Sequence, residues 1–199
     1  MPVGDLSSKA ETAMIELLIE VEVLRSEIQR LNEALSAAED LADRDPLTPI
    51  LNRRAFLREL ERIQNVTRRY GTPASLVYFD VDKFALINNE FGHSVGDVAL
   101  NAVARSLSES VRESDIVGRM GGDEFGIILF QAGHDIAEFK ARSLAENLES
   151  KPLMVEDASI SIRISYGVCE ISAAAEAETI VATADTRMYA QKRERQGLY

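Results

Sequence analysis

The sequence predicts an α/β fold, in which one central sheet is flanked by helices and preceded by a long coiled-coil α-helix. Apolar residues follow an unbroken heptad up to residue 42, and helical patterns then alternate with short apolar runs typical of buried strands. Pro46 and Pro49 separate the two parts, because proline ends a helix. We therefore expect a flexible tail over residues 1–9, a helix over 10–43 and a globular domain over 44–199.

The predicted long helix contains neither glycine nor proline between residues 10 and 42. Its apolar residues recur at alternating intervals of four and three, with leucines at d and β-branched Val21 and Ile28 at a. This pattern favours a parallel two-stranded coiled coil, in which Glu20 faces Arg25 of the partner helix. The alternative is a helix packed on its own domain, which usually has a wider apolar stripe. The heptad residues are Leu17, Val21, Leu24, Ile28, Leu31, Leu35, Ala38 and Ala42.

Each element of the globular part is predicted from its own pattern. The helix over 52–70 carries Phe56, Leu60 and Ile63 on one face, as packing on a core requires. The strands are continuous apolar runs bounded by turn residues, which indicates burial on both faces. In chain order we expect a helix over 52–70, a strand over 74–82, a helix over 95–111, a hairpin of strands over 116–120 and 124–130, a helix over 135–148, a strand over 159–171 with a partner near 153–155, and a helix over 178–193.

Composition limits the partners and the location of the chain. A formal net charge of −11 argues against nucleic acid and anionic membranes as partners, because a net-acidic surface attracts neither. The sequence has no signal peptide and no stretch near the roughly 20 apolar residues of a membrane-spanning helix, so we expect no membrane insertion and a cytoplasmic location. Cys169 is the only cysteine. We interpret it as a small core residue, in agreement with a reducing compartment.

The predicted hairpin carries the most informative residues of the chain. Gly121 and Gly122 precede Asp123 and Glu124, and a buried strand follows them. Glycine permits turn conformations that other residues avoid and lets the backbone approach a ligand closely. Two acids held on such a turn suit a divalent metal ion and a phosphate.

Two further acids, Asp80 and Asp82, end the apolar strand over 74–82 and point to the same face. Acids in such a position are costly unless they are paired, solvated or bound to a metal. If this strand neighbours the hairpin, Asp80 and Asp123 approach each other and form, with a backbone carbonyl, an oxygen-rich site for Mg²⁺. Such sites support two-metal phosphoryl transfer. For Asp82, capping of the following turn is an equal alternative.

Asn88 and Asp97 flank a turn that contains His93. A carboxylate can accept two hydrogen bonds from the N1–H and N2–H₂ edge of guanine, which adenine does not offer, and an asparagine can complete the match. The pair is therefore a candidate guanine selector, while helix capping by Asp97 is the alternative. We interpret His93 as a structural hydrogen-bonding residue rather than a catalytic base.

From Asp45 to about Lys192, the chain resembles the GGDEF family of diguanylate cyclases. The resemblance implies a palm-like fold, related to nucleotide cyclases and ferredoxin-like domains, and condensation of two GTP molecules into cyclic di-GMP and two pyrophosphates. The matching motifs, in the order of the family, are Asp45 to Thr48, Asn52 to Arg54, Phe79 to Phe84, Asn88 to Asp97, Arg119 to Phe125, Ser165 with Gly167, and Ala184 to Lys192.

The resemblance also implies roles for individual residues. Asp80 and Asp123, with the carbonyl of Val81, would bind two Mg²⁺ or Mn²⁺ ions. Glu124 would lie at the reacting centre, either as a further metal ligand or as the acceptor of the 3′-hydroxyl proton. Each domain would hold one GTP, so that two domains must face each other, and the predicted parallel helix would form the homodimer. The residues implied in substrate binding are Phe84, Asn88, Asp97, Lys192 and Arg195.

A separate motif, Arg112 with Asp115, lies upstream of Gly121 at the offset of the family's inhibitory product site. Arginine can bind phosphate or guanine through two hydrogen bonds, and aspartate can accept from guanine. The resemblance therefore implies feedback inhibition by cyclic di-GMP, with Arg142 as a helper. An ordinary surface ion pair is the alternative.

The chain departs from the family at three places. Pro49 replaces a glycine, Ala85 replaces a lysine, and the expected Gly-Arg pair near the end is Arg195 and Gln196. Arg195 or Lys83 could replace the missing phosphate contacts. Three hypotheses follow: an active, dimeric, product-inhibited cyclase; a catalytically weak or inactive receptor for GTP or cyclic di-GMP; and a scaffold that acts through its helix.

Overall fold

The computed structural model describes residues 3–155, 158–172 and 174–195, and the side chains of 13–34, 42–155, 159–172 and 174–195. The chain divides into two compact units, Met1–Ala42 and Asp43–Tyr199. No helix within these described residues is both long and apolar enough to cross a membrane.

The first unit is a single helix, α1, which spans Val3–Asp43. It begins earlier than predicted, since residues 3–9 are helical rather than a loose tail. Within this unit the heptad side chains face solvent: Leu24 is 55% exposed and Ile28 is 58% exposed. The side chains of Leu35 and Ala38, which continue the predicted heptad, lie outside the described residues.

The second unit is a four-stranded antiparallel sheet with the strand order β2-β3-β1-β6, covered by helices on both faces. A short antiparallel hairpin, β4-β5, forms a second sheet. The elements are α2 (Arg53–Tyr70), β1 (Ala74–Val81), α3 (Phe84–Phe91), α4 (His93–Glu109), β2 (Ile116–Arg119), β3 (Glu124–Phe130), α5 (His134–Ser150), β4 (Leu153–Val155), β5 (Ala158–Ile160), β6 (Ile164–Glu170) and α6 (Ala177–Arg195).

The predicted sheet flanked by helices is confirmed, and two local predictions are wrong. The sequence did not predict α3, which is only eight residues long. The strand expected over 159–171 is two strands, because β5 pairs with β4 whereas β6 pairs with β1. The connection at residues 161–163 lets the chain change from one sheet to the other.

The two faces of the sheet carry separate cores, because alternate residues of a strand point in opposite directions. Val77 and Phe79 of β1 pack in a cluster with residues of α4 and α5. Leu76 and Tyr78 of the same strand pack with residues of α2 and α6. By the same alternation, the side chains of Asp80 and Asp82 point to the face that α2 and α6 cover.

Phe56 of α2 fixes this helix on the hairpin strands. Its fully buried ring lies over Gly118 and Gly126, which are directly opposite each other in β2 and β3. A Cβ on either glycine would lie within 2.7 Å of the ring. The two glycines therefore provide the space that the aromatic ring fills.

The helix α6 lies very close to β6 at Gly167. A Cβ on this glycine would overlap the carbonyl oxygen of Ala184 and the backbone nitrogen of Met188. Cys169, on the same side of β6, is partly buried and packs against the α2 and α6 cluster. Burial raises the pKa of the Cys169 thiol above its ordinary value.

Candidate active site

The turn between β2 and β3 is held by its own backbone and by one arginine. The Glu124 carbonyl accepts from the Met120 N–H at 2.8 Å, which closes the turn. The guanidinium of Arg119 donates to the Gly122 carbonyl through Nε at 3.2 Å and Nη2 at 2.7 Å. The acids at this turn are thus carried on a rigid backbone.

The glycines of the turn supply space rather than an unusual backbone conformation. Among the described residues, positive φ angles at glycine occur only at Gly71 and Gly92, so Gly121 and Gly122 do not need them. A Cβ on Gly121 would lie 2.5 Å from Oε2 of Glu124. The absence of a side chain at Gly121 therefore lets the Glu124 carboxylate fold back over the turn.

Asp45 connects the segment before α2 to this turn. Its Oδ1 accepts from the Thr48 N–H at 2.8 Å and from Nη1 of Arg119 at 3.0 Å. Burial acts to raise the pKa of Asp45, but the hydrogen bonds from Thr48 and Arg119 outweigh it and hold this pKa below the ordinary value. Asp45 N–H also donates to the Ile50 carbonyl at 3.0 Å, so the loop closes with Pro49 in place of glycine.

The structure brings the predicted acids together at one end of the sheet. β1 and β3 are neighbours, and Asp80 lies directly opposite Glu124. The Val81 N–H donates to the Asp123 carbonyl at 3.1 Å, which sets the two acidic segments side by side. This confirms the expected neighbourhood of the strand and the hairpin.

Lys192 of α6 reaches the same place and forms an ion pair with the Asp80 carboxylate. The Asp80 side chain is 14% exposed. Burial is the main cause that raises the pKa of Asp80; Lys192 opposes it, and the charges of Asp123 and Asp82 add to it. The carboxylates of Asp80, Asp82 and Asp123 are therefore close enough to affect one another, and Lys192 compensates part of their charge.

Tyr78 is a site residue that the sequence analysis missed. Burial, followed by the charge of the neighbouring Glu124 carboxylate, raises the pKa of Tyr78 well above its ordinary value. Tyr78 lies two residues before Asp80 on the same face of β1. The only available signal was this spacing, which does not reveal a partner on another strand.

The donor set fits a hard divalent cation in its chemistry, because it consists of carboxylate and carbonyl oxygens. No three acidic, histidine or cysteine side chains of the described residues already surround a point where an ion could sit. The cation at Asp80 is instead the Lys192 ammonium. A metal ion on Asp80, Val81, Asp123 and Glu124 would therefore share the Asp80 carboxylate with Lys192 or displace this ammonium.

Asp82 does not cap α3, because Lys83 occupies the N-cap position and no side chain caps the helix. The Asp82 carboxylate instead accepts from the Ser165 hydroxyl at 2.8 Å. Ser165 lies directly opposite Asp80 on β6 and is fully buried. The Ser165 of the matching motif thus supports the second acid of the strand.

The candidate guanine residues lie at the contact of α3 with α4. The Oδ1 of Asn88 is buried and has no hydrogen-bond partner within the part of the chain that the structure describes, which leaves its acceptor capacity unused. It lies against Gly96, together with the ring of Phe84. Asp97 is exposed inside α4, whose N-cap is Gly92, so the capping alternative for Asp97 is wrong.

His93 is the exposed first residue of α4. Among the described residues its ring has no hydrogen bond, so the structure does not support the structural role that we expected for it.

Lys83 and Arg195, which we expected to replace the missing phosphate contacts, line one cleft. This cleft of about 1170 Å³ is formed by α3, the segment before β6 and the end of α6. Lys83 and Arg195 line it beside Asp82, while Arg195 also donates to the Ile164 carbonyl at 2.9 Å. Gln196 lies outside the described residues.

The predicted product motif forms a loop rather than a surface ion pair. The Asp115 carboxylate accepts from the Arg112 N–H at 2.9 Å and from the Phe130 N–H at 3.1 Å, and the Arg112 side chain is exposed. Arg142 lies near the Tyr166 hydroxyl, whose interaction with the guanidinium raises the pKa of Arg142. Lys140 of α5 donates to the carbonyl of Ser110, two residues before Arg112, and the sequence analysis missed this contact.

Two solved structures have the same fold as this chain. Diguanylate cyclase SiaD from Pseudomonas aeruginosa, in complex with its activator SiaC, is 28% identical with a TM-score of 0.82, over 96% of this chain and 73% of that one. The coiled coil and GGDEF domain of DgcB from Caulobacter crescentus, in complex with c-di-GMP, is 26% identical with a TM-score of 0.79, over 89% of this chain and 95% of that one.

Sequence comparison gives the same relationship. Diguanylate cyclase DosC of Escherichia coli K12 is 37% identical over 153 residues, which are 75% of this chain and 33% of DosC. This chain therefore spans about a third of the length of that relative. Residues 42–197 match the family described as "Diguanylate cyclase, GGDEF domain". Because this match covers most of the chain, the chain belongs to the GGDEF family.

Proposed function

We propose that the protein is a diguanylate cyclase that condenses two GTP molecules into cyclic di-GMP with release of two pyrophosphates. The observation that carries this proposal is the placement of Asp80 opposite Glu124, with Asp123 beside them on the Gly-Gly turn. An acidic cluster at the end of neighbouring strands suits transfer of a nucleotidyl group, because it can hold cations against a triphosphate.

The reaction is an in-line attack of the 3′-oxygen of one GTP on the α-phosphorus of the other, with pyrophosphate as the leaving group. Asp80, Asp123, Glu124 and the Val81 carbonyl would hold two Mg²⁺ or Mn²⁺ ions, which lower the pKa of the 3′-hydroxyl and neutralise the leaving group. Glu124, which lies beside Tyr78, would accept the hydroxyl proton if it does not ligate a metal.

Recognition of GTP is assigned to two regions. Asn88, with its unpartnered buried oxygen, and Asp97 would bind the guanine edge, while Phe84 forms part of the wall. Lys192 would leave Asp80 for the terminal phosphates. Lys83 and Arg195, which share one cleft, would compensate for Ala85 and Gln196.

Two such domains must face each other, since each would hold one GTP. The exposed heptad side chains of α1 support a parallel homodimer through this helix over residues 10–43. A dimer holds the second half-site at a high effective concentration. Use of GTP agrees with the cytoplasmic location expected from the sequence.

Feedback inhibition by cyclic di-GMP would use Arg112, whose side chain is exposed, and Asp115. Asp115 already accepts two backbone hydrogen bonds, and a carboxylate has further lone pairs for a guanine edge. Arg142 would have to leave the Tyr166 hydroxyl to take part.

The deciding experiment is a turnover assay. The full chain is first stripped of bound nucleotide, then incubated with GTP and Mg²⁺, and cyclic di-GMP is measured by chromatography. We expect turnover that is abolished by Asp123→Asn, with Arg193→Ala on α6 as a control that keeps activity. Nucleotide binding without product would favour the receptor hypothesis, and neither binding nor product would favour the scaffold.

A further inference from the structure

Three side chains of α6 lie in one row and bond to the backbone of β6. Nη1 of Arg187 donates to the Val168 carbonyl at 2.5 Å, and Nη1 of Arg195 donates to the Ile164 carbonyl at 2.9 Å. Between them, Oε1 of Gln191 accepts from the Tyr166 N–H at 2.8 Å. We call Arg187, Gln191 and Arg195 the edge row.

The edge row matches the spacings of a helix and a strand that run in opposite directions. Four residues of an α-helix advance about 6 Å, and two residues of a strand advance about 6.6 Å. Each advance of four residues along α6 therefore brings the helix opposite a residue that lies two positions nearer the start of β6. Because β6 is an edge strand of the sheet, these alternate residues point their backbone groups away from β1.

The edge row holds a part of α6 that the apolar core does not hold. The last buried residue of this helix is Met188. From residue 189 to residue 195 no described side chain is fully buried, and only Gln191 and Lys192 are partly buried, so polar contacts contribute much of what holds this segment. Those contacts are the bonds of Gln191 and Arg195 and the ion pair of Lys192 with Asp80.

We propose that Arg187, Gln191 and Arg195 are positioning residues that place the Lys192 ammonium at the reacting centre. This inference rests on the proposed function, in which Lys192 binds the triphosphate. Gln191 directly precedes Lys192, so a helix end released from β6 would move the Lys192 side chain away from Asp80 and from the phosphates. Gln191 is uncharged and does not attract the GTP triphosphate at long range. A change in GTP affinity on its substitution therefore reports the position of Lys192 rather than a lost charge.

The test uses Gln191→Leu in the full chain, with equilibrium binding of a non-hydrolysable GTP analogue and of GMP in the presence of Mg²⁺. We expect affinity for the analogue to fall about fivefold, the effect of one ordinary hydrogen bond. Affinity for GMP should not change, because GMP lacks the terminal phosphates. Gln191→Glu, which keeps an acceptor for the Tyr166 N–H, should restore most of the loss relative to Gln191→Leu.

A double-mutant cycle makes the test specific to Lys192. In a Lys192→Ala background, Gln191→Leu should cost nothing further, because the group that it positions is gone. Arg193→Ala, an exposed substitution two residues from Gln191 on the same helix, controls for a general effect of altering α6 and should leave binding unchanged.

Equal losses for the analogue and GMP, or additive losses in the cycle, would overturn the positioning role and indicate a merely structural one. If Lys192→Ala weakens binding of the analogue while Gln191→Leu does not, the inference fails and the proposed role of Lys192 stands. If Lys192→Ala itself has no effect, the role of Lys192 fails, and the turnover assay still decides the proposed function.

Discussion

At the scale of single residues, Gly96 controls the position of the candidate guanine contact. A Cβ at this position would overlap Oδ1 of Asn88 and come within 3.2 Å of the Phe84 ring. Alanine is otherwise favourable inside a helix such as α4, by about 1 kcal/mol relative to glycine. The structure thus separates the effect of this residue on the pocket from its effect on the helix.

We therefore predict that Gly96→Ala lowers GTP affinity by about tenfold, the scale of one displaced polar contact in a binding site, while the protein stays folded. Calorimetric binding and a thermal melt on the same sample measure both effects. Gly133→Ala, where a Cβ meets nothing within 4 Å, is the matched control and should bind normally. Unchanged affinity in Gly96→Ala would show that Asn88 does not contact the nucleotide.

Asp45 gives a prediction on pH. Its pKa is lower in the folded state than the unfolded value of about 4, so its stabilising effect is present above that pH and is lost as the pH falls. Asp45→Asn should melt at a lower temperature at pH 7 and show a flatter dependence of the melting temperature between about pH 5 and pH 3. The exposed Asp135→Asn should keep the slope of the natural protein, and an identical slope in Asp45→Asn would refute this account.

At the scale of elements, Phe56 joins α2 to the strands that carry the Gly-Gly turn. We predict that Phe56→Ala lowers the free energy of unfolding by about 3–5 kcal/mol, because two glycines leave no side chain to fill the cavity. Chemical denaturation measures this. Phe139→Ala on α5, where the ring is 74% exposed, should change stability by less than about 0.5 kcal/mol. Similar losses in both variants would contradict the role of Phe56.

The sequence could predict the elements whose patterns are local. The strand that ends at Asp80 and the hairpin around Gly121 follow from apolar runs and turn residues. The break between β5 and β6 could not be predicted, since the alternation of residues runs through it and only pairing with other strands separates them. The short α3 was missed because eight residues give a weak helical signal.

The candidate site, like the fold, could be predicted only where the sequence signal is local. Asp80, Asp123 and Glu124 were identified from the ends of strands, and the strand order then confirmed their proximity. The Tyr78 contact with Glu124, the ion pair of Lys192 with Asp80 and the edge row all depend on how α6 and β3 lie on β1 and β6. Such contacts between distant segments leave no pattern in one sequence.

At the scale of the whole molecule, the helix α1 exposes leucine and isoleucine at the heptad positions of its own unit. Within one chain, Arg25 bonds to Glu22 at 3.3 Å and Arg30 to Glu27 at 2.6 Å, so part of its charged surface is already paired. The apolar seam is what a second copy of the helix would bury.

We predict that Leu24→Glu with Ile28→Glu raises the dissociation constant of the dimer by more than about a hundredfold, because the seam would bury unpaired charges. Light scattering measures the oligomeric state and the turnover assay measures activity, which should fall with it. Ser26→Glu with Gln29→Glu adds the same charge away from the seam and should remain dimeric. A fully active monomer would refute the link between the helix and catalysis.

The reactivity of the Cys169 thiol can measure how closely α6 covers β6. It is the only thiol of the sequence, and it lies partly buried on the side of β6 that faces α6. Because the thiol is only partly covered, a change in the rate at which a thiol reagent modifies it reports a change in how α6 covers β6, without an engineered label. We expect Gln191→Leu to speed modification and bound GTP analogue to slow it; equal rates in all three states would mean that the end of α6 opens independently of the thiol.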